Sequence, residues 1–515
     1  MFSPDPSFVV ARYYNPGDSN KAKSILAKVD EMPEAAALLA SNQILREFAP
    51  RHKNLSRVFT EHFLRAAAET LFPDTKLPEA KRILAGAYFT CEHSVLSTAL
   101  YNPSVVLSPD QSGLDSGYSR IIIAFRATGS FHRSSIVFRE AILDNHNNFF
   151  LTHESRLLAE PGVFRPVFGK TRFLYILWLM QADPEWVARL EKELPEAFHM
   201  EELRKTTSDL LKKEEPAGRF SKVAETTLWL AESYATLKFP NDTLISERVL
   251  FPLSSMDMDG LEDARFVKFT EDDGRSTYYA TTHSFNGMSY IPRLIETRDF
   301  LHFESRPLKG KSMMNRGMAL FPRKINGKYA MMGRLDGINN YVLYSNEIDS
   351  WEEGKQVQEA RYPWEFVQIG NCGSPIETEQ GWLVITHGVG PMRRYCLSAI
   401  LLDSEDPTRI IGQMSEPLLF PNADEMDGYM PNVVYSCGSV VHNGQLILPY
   451  SIGDTYSSIA IAPLDEIFHR LLAAGIHKPA SDSDQELRAR RILLVEDDLI
   501  DRKSTRLNSS HGKLS

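Results

Sequence analysis

The spacing of apolar residues changes along the chain and divides it into regions. Up to about residue 85, apolar residues recur every three or four positions, which predicts helices. One predicted helix begins at Glu34, and Asn54 or Ser56 is suited to cap the next one. From about residue 86, short apolar runs are separated by Gly, Asp, Asn and Pro, which predicts strands joined by turns.

A second helical block interrupts the strands. Residues 172–238 contain charged, amphipathic segments with almost no glycine, and the strand pattern resumes after them. Asn326-Gly327 and Asn443-Gly444 predict hairpins, because Asn-Gly readily adopts the backbone of a tight hairpin turn. A long series of antiparallel hairpins is typical of a β-propeller or a large β-sandwich, and periodicity does not distinguish the two.

The C-terminal residues follow neither pattern. Residues 490–500, RRILLVEDDLI, resemble the first strand of a response-regulator receiver domain, either by chance or as the remnant of a fusion. Residues 501–511, DRKSTRLNSSH, look like the in-frame translation of a sequencing adapter. We therefore expect residues 476–500 to be an extension and 501–515 to be an artefact that stays unpacked.

Composition narrows the class of protein. The chain has 515 residues, 43% of them hydrophobic, and its 57 Lys and Arg against 67 Asp and Glu give a net charge of −10. This balance predicts a globular protein and argues against nucleic acid as a partner. No apolar run approaches the ~20 residues of a membrane span, and no secretory signal is recognisable. We expect a cytoplasmic protein without a membrane partner, either monomeric or a homo-oligomer.

Motifs of several common chemistries are absent from the sequence. There is no HExxH, no phosphate-binding GxxxxGK[ST] loop, no GxGxxG after a strand and no GxSxG elbow. The four cysteines have neither CxxC spacing nor the density of a disulfide framework. We therefore expect neither a metal nor a nucleotide cofactor.

Several polar residues lie where predicted strands begin or end. Asp263 directly precedes a strand, where a carboxylate can act as a general acid if burial raises its pKa. The alternative is that Asp263 caps a turn and pairs with Arg265. Arg316 and Arg334 flank the hairpin at Asn326-Gly327, so their guanidinium groups either face one anion or are solvated separately.

Three further polar features each have an ordinary structural explanation. His387 ends an apolar run, where a lone His is more often a hydrogen-bonded structural residue than a ligand. The small residues of the loop 371–375 permit close approach of a ligand or simply form a turn. Asp454 lies between a strand and the next turn, where an Asp often caps the backbone.

The order of these segments, however, resembles a known family, glycoside hydrolase family 130. The similar segments are ALYNPSVV, AFRATG, GLEDARF, NRGMALFPRKINGKYAMMGR, GNCGSPIETEQGWLVITHGVG, RYCLSAILLDSEDP and LPYSIGDT. The family comprises β-mannoside phosphorylases and β-1,2-mannosidases. The resemblance implies a mainly β protein with a five-bladed β-propeller over 86–475, a helical insertion at about 172–240 and an N-terminal helical region over 1–85. We expect both helical regions to pack together outside the propeller, and the insertion to supply none of the propeller's strands.

The resemblance also implies roles for individual residues. Asp263 matches the proton donor, which is thought to act through a substrate hydroxyl. The matched sugar ligands are Asn102, Arg126 and Asp454, and the matched phosphate ligands are Arg316, Arg334, His387 and Tyr395. Three positions depart from the family pattern: Gln368 replaces a Lys, Gly317 replaces an Asn, and Ala264 replaces a Pro. The first two changes weaken the expected phosphate site.

The expected reaction is inverting phosphorolysis of a β-mannooligosaccharide, which gives mannose 1-phosphate. Inorganic phosphate is the expected co-substrate, and no other cofactor is needed. The alternatives are hydrolysis by an inverting β-1,2-mannosidase and a propeller that binds glycans without catalysis. Hydrolysis requires a second carboxylate roughly 6.5–9.5 Å from the acid, for which Asp336, Glu365 and Asp427 are candidates.

Overall fold

A computed structural model gives the fold. It describes residues 1–73, 77–213, 218–254, 257, 259–285, 290–312, 315–473 and 490–492. Strands predominate, and most belong to five large antiparallel sheets that follow one another along the chain. Within the described residues, no helix has the length and apolar character needed to cross a bilayer. All four cysteines are free thiols.

The N-terminal region is helical, as its apolar spacing predicts, apart from one strand. Its helices are α1 Ser19–Glu31, α2 Glu34–Phe48, α3 Leu55–Thr70 and α4 Glu79–Tyr88. The prediction of helix throughout 1–85 is wrong at β1 Val9–Tyr13, which pairs with β2 Thr90–Ser94. Asn54 precedes α3 but makes no side-chain cap. The helices bury an apolar cluster of their own around Leu26 and Phe63.

The first large sheet follows the helices. The next elements are β3 Ala99–Leu107, β4 Ser119–Thr128, β5 Ser134–Leu143, β6 Phe149–Leu151, β7 Gly162–Phe164 and β8 Phe168–Gly169. Strands β3, β4 and β5 are consecutive neighbours in the first sheet, and β6 also pairs with β5. Alternate side chains of β4 therefore point to opposite faces, and both faces are buried against neighbouring sheets.

The insertion is helical where predicted, but it ends in a strand. It contains α5 Lys170–Leu179, α6 Pro184–Glu193, β9 Ala197–Phe198, α7 Met200–Lys212, α8 Ser221–Ser233 and β10 Ala235–Lys238. Its helices bury a cluster of their own around Trp186 and Leu203. The two helical regions therefore have separate cores, contrary to the expectation that they pack together.

The expectation that the insertion supplies no strand to the sheets is also wrong. β10 pairs with β7 and extends the second sheet, because its alternating residues Ala235 and Leu237 are buried there. The elements that follow are β11 Val249–Leu250, β12 Glu262–Thr270, β13 Ser276–Phe285, β14 Tyr290–Thr297 and β15 His302–Pro307. β11 joins the first sheet, and the order of the second is β12-β13-β14-β15-β10-β7.

Three more sheets complete the strand-rich region. The third contains β16 Ala319–Leu320, β17 Tyr329–Gly333, β18 Asn340–Ser345 and β19 Gly354–Gln358. The fourth contains β20 Gln368–Asn371, β21 Ile376–Thr378, β22 Gly381–Val389, β23 Tyr395–Leu402 and β24 Ile410–Gln413. The fifth contains β25 Val434–Tyr435, β26 Val440–His442, β27 Gln445–Ile452, β28 Tyr456–Pro463 and, after α9 Leu464–Ala473, β29 Arg490–Ile492.

Only 490–492 of the C-terminal extension lie within the described residues, and they pair with β28. The rest of 476–500, and all of 501–515, lie outside the described residues. The expectation that 501–515 are unpacked therefore stays a prediction.

The core lies between neighbouring sheets. Phe138 of the first sheet packs edge-on against Phe266 of the second, with ring centroids 5.9 Å apart. Ile123 of the first sheet shares a cluster with Ile447 of the fifth. Each sheet contacts the next in chain order, and β27 of the fifth sheet contacts β3 of the first. The apolar side chains therefore pack between neighbouring sheets, and polar residues occupy the ends of the strands.

Candidate active site

One pocket collects polar side chains from four of the five large sheets and from segments that adjoin the third. Its lining includes every residue that the family resemblance assigns to the site: Asn102, Arg126, Asp263, Arg316, Arg334, His387, Tyr395 and Asp454. The structure thus brings together residues that are far apart in sequence, while their individual roles stay predictions. Among the described residues, no group of His, Cys, Asp and Glu is arranged to hold a metal ion.

Two β-bulges direct the central polar pair into the pocket. Asn102 and Asp263 have left-handed backbones, with φ values of 48° and 51°, which Asn and Asp tolerate better than most residues. In each case the strand register shifts at this point, so the extra residue turns its side chain out of the ladder. The Asn102 amide donates a hydrogen bond to Asp263 Oδ1 at 2.7 Å.

Arg126 holds the acidic part of the pocket. Its guanidinium donates to Glu262 at 2.6 Å and to Asp263 at 3.4 Å, and its Nε donates to Ser134 Oγ at 2.9 Å. The alternative pairing of Asp263 with Arg265 is not formed. Arg265 instead donates to both oxygens of Asn371 and to the Tyr435 hydroxyl.

The two carboxylates of the pocket titrate in opposite directions. Burial by itself would raise the pKa of Asp263, but Arg126, His283 and the hydrogen bond from Asn102 lower it to about 2. The condition under which burial alone would make Asp263 a general acid is therefore not met, because the neighbouring charges outweigh burial. Burial, followed by the negative charge of Asp263, raises the pKa of Asp454 to about 6. At neutral pH Asp263 is ionised, whereas a small fraction of Asp454 is protonated.

A cluster of three arginines, Arg265, Arg316 and Arg334, forms the cationic part of the pocket. None of the three makes an ion pair with a carboxylate in the described part of the chain. Arg334 is only 7% exposed, and its buried Nε has no hydrogen-bond partner there. Burial and the charge of Arg316 lower the pKa of Arg334, although an arginine remains protonated. Buried cations without a counter-charge create a strong demand for an anion.

His387 completes this cationic part as a neutral group. Its ring stacks on Tyr395, with centroids 5.8 Å apart, and its buried Nε2 has no hydrogen-bond partner in the described residues. Burial lowers the pKa of His387 far below the ordinary value, and the charges of Arg334 and Arg265 lower it further. A neutral imidazole can donate or accept a hydrogen bond, so the predicted role of His387 as a phosphate ligand stays a prediction that rests on a hydrogen bond and not on a positive charge.

The positions that depart from the family pattern also lie in the pocket. Gln368 donates a hydrogen bond to the Tyr395 hydroxyl at 3.2 Å, so a neutral amide stands where a Lys is common. Gly317 has a φ of 90°, and a side chain there would meet no neighbouring atom. Both changes leave the three arginines in place.

Sequence reasoning missed several lining residues. The sequence indicates Arg265 only as a pairing partner of Asp263, and Asn371 only as part of a turn. Tyr435 and Arg393 lie in no recognisable motif, yet all four line the pocket. The proposed hydrolytic bases do not line the pocket. Asp336 accepts hydrogen bonds from the backbone of its own turn, and Glu365 accepts two from the backbone before its short 3-10 helix.

Gly370 leaves the space that His387 occupies. A Cβ at position 370 would lie 2.4 Å from His387 Cε1, so Gly370→Ala must displace the imidazole or the strand. We expect this variant to lower the free energy of unfolding by roughly 1–3 kcal/mol, the usual cost of overpacking. Denaturant unfolding measures the loss. Gly169→Ala is the matched control, because a Cβ there meets nothing within 4 Å. Equal stability of the two variants would contradict a steric clash between a side chain at position 370 and His387.

Comparison with known proteins adds a family relationship. Residues 218–472 match a family model described as beta-1,4-mannooligosaccharide phosphorylase. The chain is 33% identical over 219 residues to a 1,2-beta-oligomannan phosphorylase of Thermoanaerobacter sp., a match that covers 42% of this chain and 72% of that protein. It is 30% identical over 239 residues to a beta-1,2-mannobiose phosphorylase of Listeria innocua, covering 44% and 65%.

A solved structure is also similar. It is the beta-1,2-mannobiose phosphorylase from Listeria innocua in complex with beta-1,2-mannobiose, with 21% identity and a TM-score of 0.44. The similarity covers 74% of this chain and 93% of that one.

Proposed function

The chain belongs to glycoside hydrolase family 130, and on that premise we propose that it catalyses inverting phosphorolysis of β-mannosides. The observation that carries the proposal is the arginine cluster, Arg265, Arg316 and Arg334, which shares a pocket with Asp263 and has no carboxylate partner in the described residues. The substrate class is a β-mannooligosaccharide, and inorganic phosphate is the co-substrate. The product is mannose 1-phosphate.

In the proposed reaction, a phosphate oxygen forms a bond to the anomeric carbon while the bond from that carbon to the leaving sugar breaks. The leaving oxygen takes a proton that originates on Asp263. A single displacement inverts the configuration, so a β-linked substrate gives an α-phosphate. Phosphate is already a nucleophile, and the chain must only position it and neutralise its charge, which Arg316 and Arg334 are placed to do.

The low pKa of Asp263 fits this reaction if phosphate binds first. Arg126 contributes most to holding Asp263 ionised, followed by His283, and Arg265 contributes a smaller share. An anion bound to the arginine cluster offsets the charge of Arg265, and a nearby negative charge raises the pKa of a carboxyl group. Phosphate binding therefore shifts the pKa of Asp263 upwards, in the direction that proton donation to the leaving sugar requires.

We further propose that the five large sheets are the blades of a five-bladed β-propeller. The contacts between successive sheets, and between β27 and β3, support a ring of sheets around the pocket. We also propose a cytoplasmic location, which is supported by free cysteines at buried positions such as Cys372 and Cys437.

Hydrolysis lacks comparable support, because none of its candidate bases lines the pocket. The two reactions are separated by incubating the protein with β-1,2- and β-1,4-mannobiose over a range of phosphate concentrations. We expect the rate of disaccharide consumption to saturate with phosphate and to be negligible without it. A rate independent of phosphate would overturn the proposal.

A further inference from the structure

A groove between the insertion and the third sheet has the composition of a sugar-binding surface. Its lining includes Tyr175 and Arg172 of α5, Lys328 and Glu347 at the ends of third-sheet strands, and Glu352. It encloses about 590 Å³, within the range of roughly 300–1,000 Å³ that is common for ligand sites. None of its lining residues lines the candidate active site.

Two exposed aromatic residues lie on the helix that forms one wall of the groove: Tyr175 lines the groove, and Trp178 lies beside it, outside the lining. Tyr175 and Trp178 lie one turn apart on α5, and their rings stack with centroids 5.9 Å apart and an angle of 21°. The two residues are 57% and 63% exposed. Because the two rings are adjacent, they form a contiguous exposed apolar surface, which is a feature of binding sites. A broad aromatic face suits the apolar C–H face of a pyranose ring, whose hydrogens meet the negative face of the π-system.

The charges in the groove favour a neutral ligand. Arg172 and Lys328 are exposed cations, Glu347 and Glu352 are exposed carboxylates, and none of these four makes an ion pair among the described residues. Lys309 also lines the groove but is paired with Asp349 at 3.1 Å, so an acidic or basic polymer would meet as many repulsive as attractive groups among the unpaired ones. Donors and acceptors of both signs, beside an aromatic face, match the hydroxyl groups of an uncharged sugar chain.

We propose that this groove is a second glycan-binding site, and that it holds a distal part of a β-mannan chain. The identity of the glycan rests on the proposed function. Strand β17 separates Lys328 at the groove from Arg334 at the active site, and five strand residues span roughly 16 Å. A short substrate can therefore fill the active site without reaching the groove, whereas a long chain can use both.

Native electrophoresis of the full chain tests the site, in gels that contain soluble β-1,4-mannan or β-1,2-mannan. We expect at least one mannan to retard the wild-type chain. The double variant Tyr175→Ala/Trp178→Ala should lose most of this retardation. Tyr14→Ala, which removes an aromatic ring that is 48% exposed in the N-terminal region, is the matched control and should behave as wild type. A thermal melt of each variant shows that folding is retained.

Kinetics separate the groove from the active site. The double variant should keep the wild-type kcat and KM for mannobiose, while its KM for a long β-mannooligosaccharide rises severalfold. Equal retardation of wild type and double variant, or none in either mannan, would overturn the groove site. Equal retardation of the wild type in a starch gel would overturn its mannan selectivity. Failure of the proposed function would show separately, as absence of phosphate-dependent mannobiose turnover by the wild type.

Discussion

Asp263→Asn is expected to reduce phosphate-dependent turnover of β-mannosides by about a hundredfold to ten-thousandfold, the usual contribution of a positioned general acid. The amide has nearly the size of the carboxyl group but cannot give up a proton at neutral pH. The loss should appear in kcat, because the predicted sugar ligands Asn102 and Arg126 are unchanged. Initial rates at saturating phosphate and sugar measure it.

Asp336→Asn is the matched control for this experiment. Asp336 caps its own turn and does not line the pocket, so its variant should retain wild-type turnover.

The pKa of Asp263 is lower in the folded protein than its ordinary value, so the ionised carboxylate stabilises the fold. This stabilisation is present above about pH 4 and is lost as the pH falls towards 2. A thermal melt of the Asp263→Asn variant at neutral pH must therefore accompany the rate measurements. A stable Asp263→Asn variant with wild-type kcat would contradict the role of Asp263 as proton donor, whereas a wild-type chain that binds mannosides without turnover would favour a non-catalytic glycan-binding protein.

Arg334→Ala is expected to abolish phosphate-dependent turnover, a loss of about a hundredfold or more in kcat/KM for phosphate. The substitution removes a buried cation that is placed to meet the nucleophile. Sugar binding should be largely retained, because Asn102, Asp263 and Asp454 remain. Steady-state kinetics with varied phosphate measure the first effect, and calorimetric titration with mannobiose in phosphate-free buffer measures the second.

The stability of this variant gives an independent check. Arg334 has no ion-pair partner in the described residues, so its burial is a cost that the folded protein carries. Arg334→Ala should therefore melt at the wild-type temperature or above it in phosphate-free buffer. Arg323→Ala, in the same hairpin but exposed and paired with Glu377, is the control and should keep its phosphate kinetics. Loss of sugar binding in Arg334→Ala would show that the arginine cluster does not serve phosphate alone.

The extent to which the fold follows from local sequence differs between elements. The helices α2 and α3 have apolar residues at a helical spacing over 15 and 16 residues, so the sequence alone predicts both helices. The strand β1 is short and adjoins a helical region, so only its pairing with β2 defines it. β10 follows α8 almost directly and is a strand because β15 and β7 flank it. Short strands depend on partners that lie far away in the sequence.

The candidate site shows the same limit. Motif order was enough to identify Asp263 and Arg334 as members of one pocket. The contacts of Arg265 could not be predicted, because its partners Asn371 and Tyr435 lie 106 and 170 positions away. The neutrality of His387 also depends on tertiary structure, since burial and the neighbouring arginines lower its pKa. A sequence gives the type of each titratable group, whereas its charge depends on what surrounds it.

The central claim is that phosphate, and not water, attacks the mannosyl carbon. Phosphorus NMR of a reaction with β-mannobiose and inorganic phosphate tests this directly. The account predicts a new phosphate-ester signal from α-mannose 1-phosphate that grows as one equivalent per glycosidic bond cleaved. Free mannose released from both halves of the disaccharide, with the inorganic phosphate signal unchanged, would contradict it.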